Sequence, residues 1–534
     1  MTPTRRIGLK VNRDPRKWPP MLHPRLIVAC WLTLTLPVVA GDDPATIPSP
    51  TTLAEPVKSA LGRITPNHLR AHVSFLASDL LHGRGTPSRE LDIAAEYIAS
   101  QFRGAGLEPL GDDGYFQTAE WKHKAPDPAG FSCEAQIGGE TLRIVQDQVS
   151  GSLPAVLTIP STLVVKVDPA DAEALKGPKS EQIAGHVVLA RVPHPFRVDP
   201  SLRQRTNQAR VQFFLRIAEL KPSLVVDIDT SLDGDYGIRQ DITRGRSRPR
   251  PPGPPVIAVH SPELAAAVDR MPSGPSNDTF SIKLGELKDR TAKVKNVVGM
   301  LRGSDSTLKE TYVVLSAHYD HIGVGPQNAA DDDIFNGAND DASGTASVIT
   351  IASALSSLET RPKRSIVFVT FYGEEFGMVG SRFYAAHPLV PLNKTVAAIN
   401  LEQVGRTDDS EGPRVSAATV TGFDFSDVGG ILRKAGESVG VEVTKHPRFS
   451  DQYFSASDNL SLAKAGIPAH TISVAYMFPD YHAPDDEWEK LDYDNMAKVD
   501  RMAALGLLTI ANNPTPPRWD DLNIKTKPYR EKAK

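Results

Sequence analysis

"RSIVFVTFYGEEFGMVGSRFYAAH", Arg364 to His387, holds the key to the fold. Up to Tyr372 it is an apolar run with the length and β-branched content of a buried strand. Gly373 ends the run, two adjacent glutamates follow, and apolar residues then return at helical spacing. A buried strand, a turn carrying acids and a helix make half of a βα unit. Glu374 and Glu375 repel each other, so placing both at the end of a buried strand calls for a compensating charge or open solvent.

The same order recurs on either side. "TYVVLSAH" (311–318), "TVAAINLE" (395–402) and "IPAHTISV" (467–474) read as strands, and "ASGTASVITIASALSSL" (342–358) as a helix opening with small residues. Residues 291–512 are therefore predicted to form an α/β domain with a mixed, largely parallel central sheet flanked by helices. Polar residues sit just past the strands. His318 and Asp320 end one strand, Asp340 and Asp341 precede a helix, and Glu374 and Glu375 follow the second strand. Glu402 ends the third, and His482 lies beyond the fourth. Ligands of open α/β sheets bind at the carboxyl ends of the strands. Separate segments thus deliver His, Asp and Glu to one edge.

Two histidines and three carboxylates without a thiolate suit one or two divalent cations, zinc first, with manganese or cobalt as substitutes. A bridging carboxylate holds paired ions roughly 3.5–4 Å apart. His318, Asp340, Glu375, Glu402 and His482 are enough for such a pair, and Glu374 is left over to act on water. Taken singly, each residue has a plainer explanation, since the chain carries 64 acids. The joint pattern is what carries weight. Asp331 to Asp333 read as a solvated run, and His321, Asp451 and His470 as structural or supporting residues.

The rest of the chain is read more coarsely. At 534 residues it needs more than one core. "RLIVACWLTLTLPVVAG" (Arg25 to Gly41) has a basic start, an apolar stretch and small residues at its end. Residues 1–40 read as a signal peptide cleaved after Ala40, with Met21 the expected start. Export to the periplasm or exterior follows, with no stable membrane insertion after cleavage. Cys30 would leave with the signal, so Cys133 has no disulfide partner. A net charge of −4 gives no reason to expect a nucleic-acid partner. Residues 41–60 read as a mobile leader and 61–129 as the first part of the α/β domain. Residues 130–290 read as a small β-rich insert with an exposed Pro/Arg-rich loop at 244–255, and 513–534 as a weakly ordered tail.

At "SAHYDHIG", "NGANDDASGTA", "FYGEEFGMVGS", "INLEQVGR" and "DYHAPDDEWEKL" the sequence resembles the di-zinc aminopeptidases of clan MH. That group includes bacterial leucyl aminopeptidases, glutamate carboxypeptidase and glutaminyl cyclase. "LASDLLHGRGT…AAEYIASQFRGAGLEPLG" is similar to its N-terminal helix segment, and the insert resembles a protease-associated domain. The resemblance implies a zinc-dependent exopeptidase fold and a peptide substrate. It implies two zinc ions, one on His318 and Glu402, one on Glu375 and His482, bridged by Asp340. It further implies Glu374 as general base toward a metal-activated water, Asp320 as the orienter of His318, and Tyr481 as a stabiliser of the tetrahedral intermediate. A cis bond at Asp340–Asp341 is implied too. Glu402 stands where the family often has aspartate, and Asn459 where many relatives have histidine. Aminopeptidase activity is the expectation. A carboxypeptidase or dipeptidase stays open, as does a glutaminyl cyclase, although cyclases of this type use one metal. A non-catalytic binding ectodomain would have lost ligands, and none is missing. A serine hydrolase would show G-x-S-x-G, which the catalytic segment lacks.

Overall fold

The four apolar runs that precede the polar residues become four adjacent parallel strands. Ala469–Ser473, Thr395–Leu401, Tyr312–His318 and Ser365–Phe371 are hydrogen-bonded in that order. The computed structural model describes residues 53–531 apart from 152–156, 170–179, 199–201, 231–239, 242–252, 326–327 and 329. The signal-peptide stretch and most of the Pro/Arg-rich loop lie outside the described residues.

Every residue of Tyr312–His318 and of Ser365–Phe371 is buried. A parallel strand covered on both faces needs such a near-continuous apolar run. Alternation assigns the faces. Val313, Leu315, Ala317, Ile366 and Phe368 join a core shared with helices Arg89–Gly104, Ser343–Ser356 and Tyr493–Asn512. Val314, Val367, Val369 and Phe371 face the opposite core, with Tyr384, Leu462 and Trp519. Antiparallel strands finish the sheet. Leu287–Leu301 pairs with Ser365–Phe371 and with Phe116–Pro126, and Ala417–Val420 pairs with Ala469–Ser473. The sheet is mixed and helix-flanked, as expected.

The small residues that open helix Ser343–Ser356 have a steric cause. A Cβ on Gly344 would lie 2.3 Å from the Leu401 carbonyl oxygen and 2.5 Å from the Asp341 carboxylate. Only glycine lets the helix start so close to the strand ends.

A second, eight-stranded sheet is built from segments between 132 and 283. The sequence suggested a β-rich block, but its centre is α/β. Thr158–Lys166, Val187–Ala190, Leu224–Ile228 and Val256–Val259 run parallel. Helix Arg203–Glu219 packs Phe213 and Ile217 against one face, and helix Pro262–Arg270 packs Leu264 and Val268 against the other. Cys133 is buried here, and burial pushes its thiol up to about 12.

Both ends are more ordered than the sequence implied. Helix Glu55–Gly62 falls within the expected leader and buries Ala60 and Leu61. Trp519 of the expected tail joins the core, and its indole N–H donates to the Gly466 carbonyl at 2.8 Å. Tyr529 stacks on that indole with ring centroids 5.5 Å apart, so two aromatics help to fix a segment that is otherwise polar.

Candidate functional site

The carboxyl ends of the parallel strands bring the polar residues together. His318, Asp340 and Glu402 each offer a donor atom, and these atoms lie within 4.8 Å of one another. His318 Nε2 is 3.3 Å from Asp340 Oδ1. His482 Nε2 is 3.1 Å from the other Asp340 oxygen and 3.3 Å from Glu375 Oε2. Asp340 therefore lies between two groups, using one oxygen toward each. The peptide bond between Asp340 and Asp341 is cis.

His321, read from the sequence as structural or supporting, lies at this cluster. It is buried with its Nδ1 2.8 Å from Glu375 Oε1, and it forms a second cluster of donor atoms with Asp340 and Glu375. Its signal was the HxDH spacing in "SAHYDHIG", which puts it one residue past Asp320.

The acids split by environment. Burial pushes the Glu374 carboxyl well above the usual range, and Glu402, Asp458 and Glu375 add to this over the opposing pull of His318. Glu375 is equally buried, yet His482 and His321 overcome burial and Asp340 to hold it at about 2. Neighbouring carboxyls driven apart in this way are suited to different tasks. Burial raises Glu402 to about 7. For His318, burial opposes the charged form, but Asp320 and Asp340 outweigh it and hold the imidazolium well above its ordinary value.

Asp320 meets His318 through both backbone and side chain. The closer contact of His318 Nδ1 is the Asp320 backbone carbonyl at 3.1 Å, with carboxylate Oδ1 at 3.6 Å. That carboxylate accepts the Glu374 backbone N–H at 3.1 Å and the Thr86 hydroxyl at 3.2 Å. Asp320 thus ties the His318 strand end to the Glu374 turn. Tyr481 stacks on His482 with ring centroids 3.9 Å apart and stays 42% exposed.

Two supporting groups, Asp486 and Arg84, were missed in the sequence, and Asp341 was named there without a supporting role. Asp486 Oδ2 accepts the backbone N–H groups of Asn339 and Asp340 at 3.0 and 3.1 Å. Asp341 accepts N–H groups from Gly344 and Gln403 on one oxygen and from His318 on the other. The Arg84 guanidinium, fully buried, donates to the carbonyls of Leu76, Tyr319, Asn336 and Gly337. Asp458 is also buried in the site, and burial raises it to about 7. The sequence had singled out its neighbour Asn459, whose amide is held by Phe454, Ala469 and Thr471. His470 bonds Ser426 and the Thr421 carbonyl, Asp451 pairs with Lys525, and Asp331 pairs with Arg197, none of them in the cluster.

The residues present fit a divalent metal. His318 Nε2, both ring nitrogens of His321 and Glu375 Oε1 are buried without a hydrogen-bond partner. Asp340, Glu374, Glu375, Glu402 and Asp458 exceed the charge that the local histidines can neutralise, and a cation would reverse that imbalance. A link from the second sheet also reaches the site: Arg203 pairs with Asp485, three residues past His482, at 2.5 Å.

Residues 296–506 match peptidase family M28. Aminopeptidase YwaD of Bacillus subtilis is 24% identical over 254 residues, covering 46% of this chain and 51% of that protein. The probable leucine aminopeptidase 2 of Aspergillus oryzae is 24% identical over 253 residues, covering 42% and 46%. The chain spans about half the length of the curated relatives it matches. The solved structure of BSAP, a zinc aminopeptidase from Bacillus subtilis, superposes with a TM-score of 0.51 at 17% identity. That match covers 88% of this chain and 99% of the solved one, so the two share a fold.

Proposed function

We propose that this protein is an exported zinc exopeptidase, most simply an aminopeptidase, with two ions sharing Asp340. The observation that carries the reading is the shared aspartate: one oxygen near His318, the other near His482, with the Glu374 backbone N–H held by Asp320 at the same strand end. The family match and the aminopeptidase relatives support it. His318 and Glu402 would hold one ion, Glu375 and His482 the other.

Bound ions would polarise the scissile carbonyl and lower the pKa of water. The chain's own residues then handle the proton. Glu374, which is left over from the ligand set, would take a proton from water and deliver it to the leaving amine nitrogen. Asp320 fixes the Glu374 backbone, so the base keeps its place relative to His318. Tyr481, stacked on His482 and partly open to solvent, is placed as a donor to the developing oxyanion. The second sheet is proposed as an inserted protease-associated domain that shapes the cleft through Arg203. Export rests on the apolar stretch 25–41. Among the described residues no helix is long and apolar enough to cross a membrane.

The test is hydrolysis of aminoacyl and N-blocked dipeptide substrates, with and without chelator and added zinc. Cleavage of free-amine substrates that chelator abolishes and zinc restores is expected. Cleavage of N-blocked substrates alone would move the assignment to a carboxypeptidase or dipeptidase of the same fold. Inactivity of the zinc-loaded protein on every substrate would favour a binding ectodomain.

A further inference from the structure

We infer that His321 is a metal ligand, giving the Glu375–His482 position four protein donors: His321, Asp340, Glu375 and His482. The inference rests on the metallopeptidase reading and adds to its ligand set.

The argument is one of position. His321, Asp340 and Glu375 each offer a donor atom, and these atoms lie within 4.8 Å of one another. His321 Nδ1 is 2.8 Å from Glu375 Oε1. Among the described residues neither of those atoms, nor His321 Nε2, has a hydrogen bond of good geometry, although all three are buried. Buried polar atoms in that state call for an occupant, and an ion shared by the cluster supplies one.

The ring is held where it is by its surroundings. A Cβ on Gly337, whose φ is +57°, would lie 2.4 Å from His321 Cγ, so the backbone closes directly over the imidazole. The His321 backbone N–H donates to the Arg84 carbonyl at 3.3 Å. The two imidazoles, His321 and His482, meet edge to face with centroids 5.6 Å apart, one at each oxygen of Glu375. Two nitrogens and two carboxylate oxygens form a donor set that zinc accepts.

The consequence is an asymmetric centre. The His318 position has three protein donors, Asp340 and Glu402 included, against four at the other. The four-donor position should fill first and release its ion last.

The test loads the whole protein with cobalt(II) in steps. Proton NMR then counts the hyperfine-shifted imidazole N–H resonances. Calorimetry follows both binding events in wild type, His321→Ala and His321→Gln. We expect shifted resonances from His321 and His482 to appear with the first equivalent, and that of His318 with the second. Both variants should lose the His321 resonance and weaken the tighter event by about tenfold or more, leaving the other event unchanged. A wild-type spectrum showing only His318 and His482, with two ions bound, overturns the His321 assignment and leaves the peptidase reading intact. Failure to bind cobalt or zinc at all overturns both.

Discussion

The Asp486 carboxylate holds the backbone of Asp340: Oδ2 accepts the Asp340 N–H at 3.1 Å and the adjacent Asn339 N–H at 3.0 Å. The loop carrying His482 is thereby fastened to the turn carrying the shared aspartate, and the Ala338 N–H donates back to the Asp486 carbonyl at 3.0 Å. Asp486→Ala should lower metal affinity about 10- to 100-fold, the usual effect of removing a group that orients a ligand. Asp486→Asn keeps an acceptor oxygen and should fall between. Metal content after equilibrium dialysis measures this. Full retention of metal by the Ala variant would show that the turn holds its shape without Asp486.

Glu374→Gln separates proton transfer from metal binding. The amide keeps the shape but cannot take a proton, so turnover should fall about 10²- to 10⁴-fold while metal content stays at the wild-type level. His482→Ala should do the reverse first and lower metal occupancy. Near wild-type turnover in the Gln variant would remove Glu374 from the mechanism.

Arg84 is a keystone of the site's backbone. Its guanidinium reaches carbonyls on three segments, including Tyr319 O at 2.8 Å, Asn336 O at 2.7 Å and Gly337 O at 3.0 Å. A lysine ammonium is a point donor and cannot span that fork. Arg84→Lys should therefore leave buried carbonyls unsatisfied, each costing about 1–3 kcal/mol. A lower midpoint of thermal unfolding together with weaker metal binding is expected. An unchanged midpoint would mean that water or the lysine satisfies the same carbonyls.

These contacts show where sequence reading succeeds and where it stops. Glu374, Glu402 and His318 were legible because each closes an apolar run, and the sheet rule sends such ends to one edge. Arg84 was not, because its carbonyl partners lie up to 253 residues away and carbonyls have no residue signature. Asp486 hid within an acidic run, where its role depends on a backbone turn. His321 looked like one more polar residue in "HYDHIG". Its place beside Asp340 and Glu375 depends on how the fold brings distant segments together. The tail misled for a different reason: Trp519 and Tyr529 anchor a segment whose average composition is polar.

Arg203→Ala tests whether the second sheet influences catalysis. The Arg203–Asp485 pair, 2.5 Å, is a bond from that unit to the His482 loop. Loss of the pair should raise KM more than it lowers kcat, with metal content retained, because Asp485 is not among the donor atoms. A fall in metal content equal to that of His482→Ala would instead make the pair a support of the metal site.

Asp500 sets a pH dependence far from the site. It lies in helix Tyr493–Asn512 and is fully buried. Burial raises its pKa from 3.8 to about 8, against weaker downward pulls from Ser347 and Arg501. The folded protein therefore keeps this proton where the unfolded chain has lost it. Below pH 4 both states are protonated and Asp500 has no effect. Between pH 4 and 8 the unfolded chain binds fewer protons, so stability falls as pH rises, by about 1.4 kcal/mol per unit. Above pH 8 the loss is complete and constant. Asp500→Asn has nearly the same shape and does not titrate. Its unfolding midpoint should match wild type near pH 4 and exceed it by a growing margin up to pH 8. Parallel midpoints across that range would mean that Asp500 is ionised in the folded protein and paired with a cation.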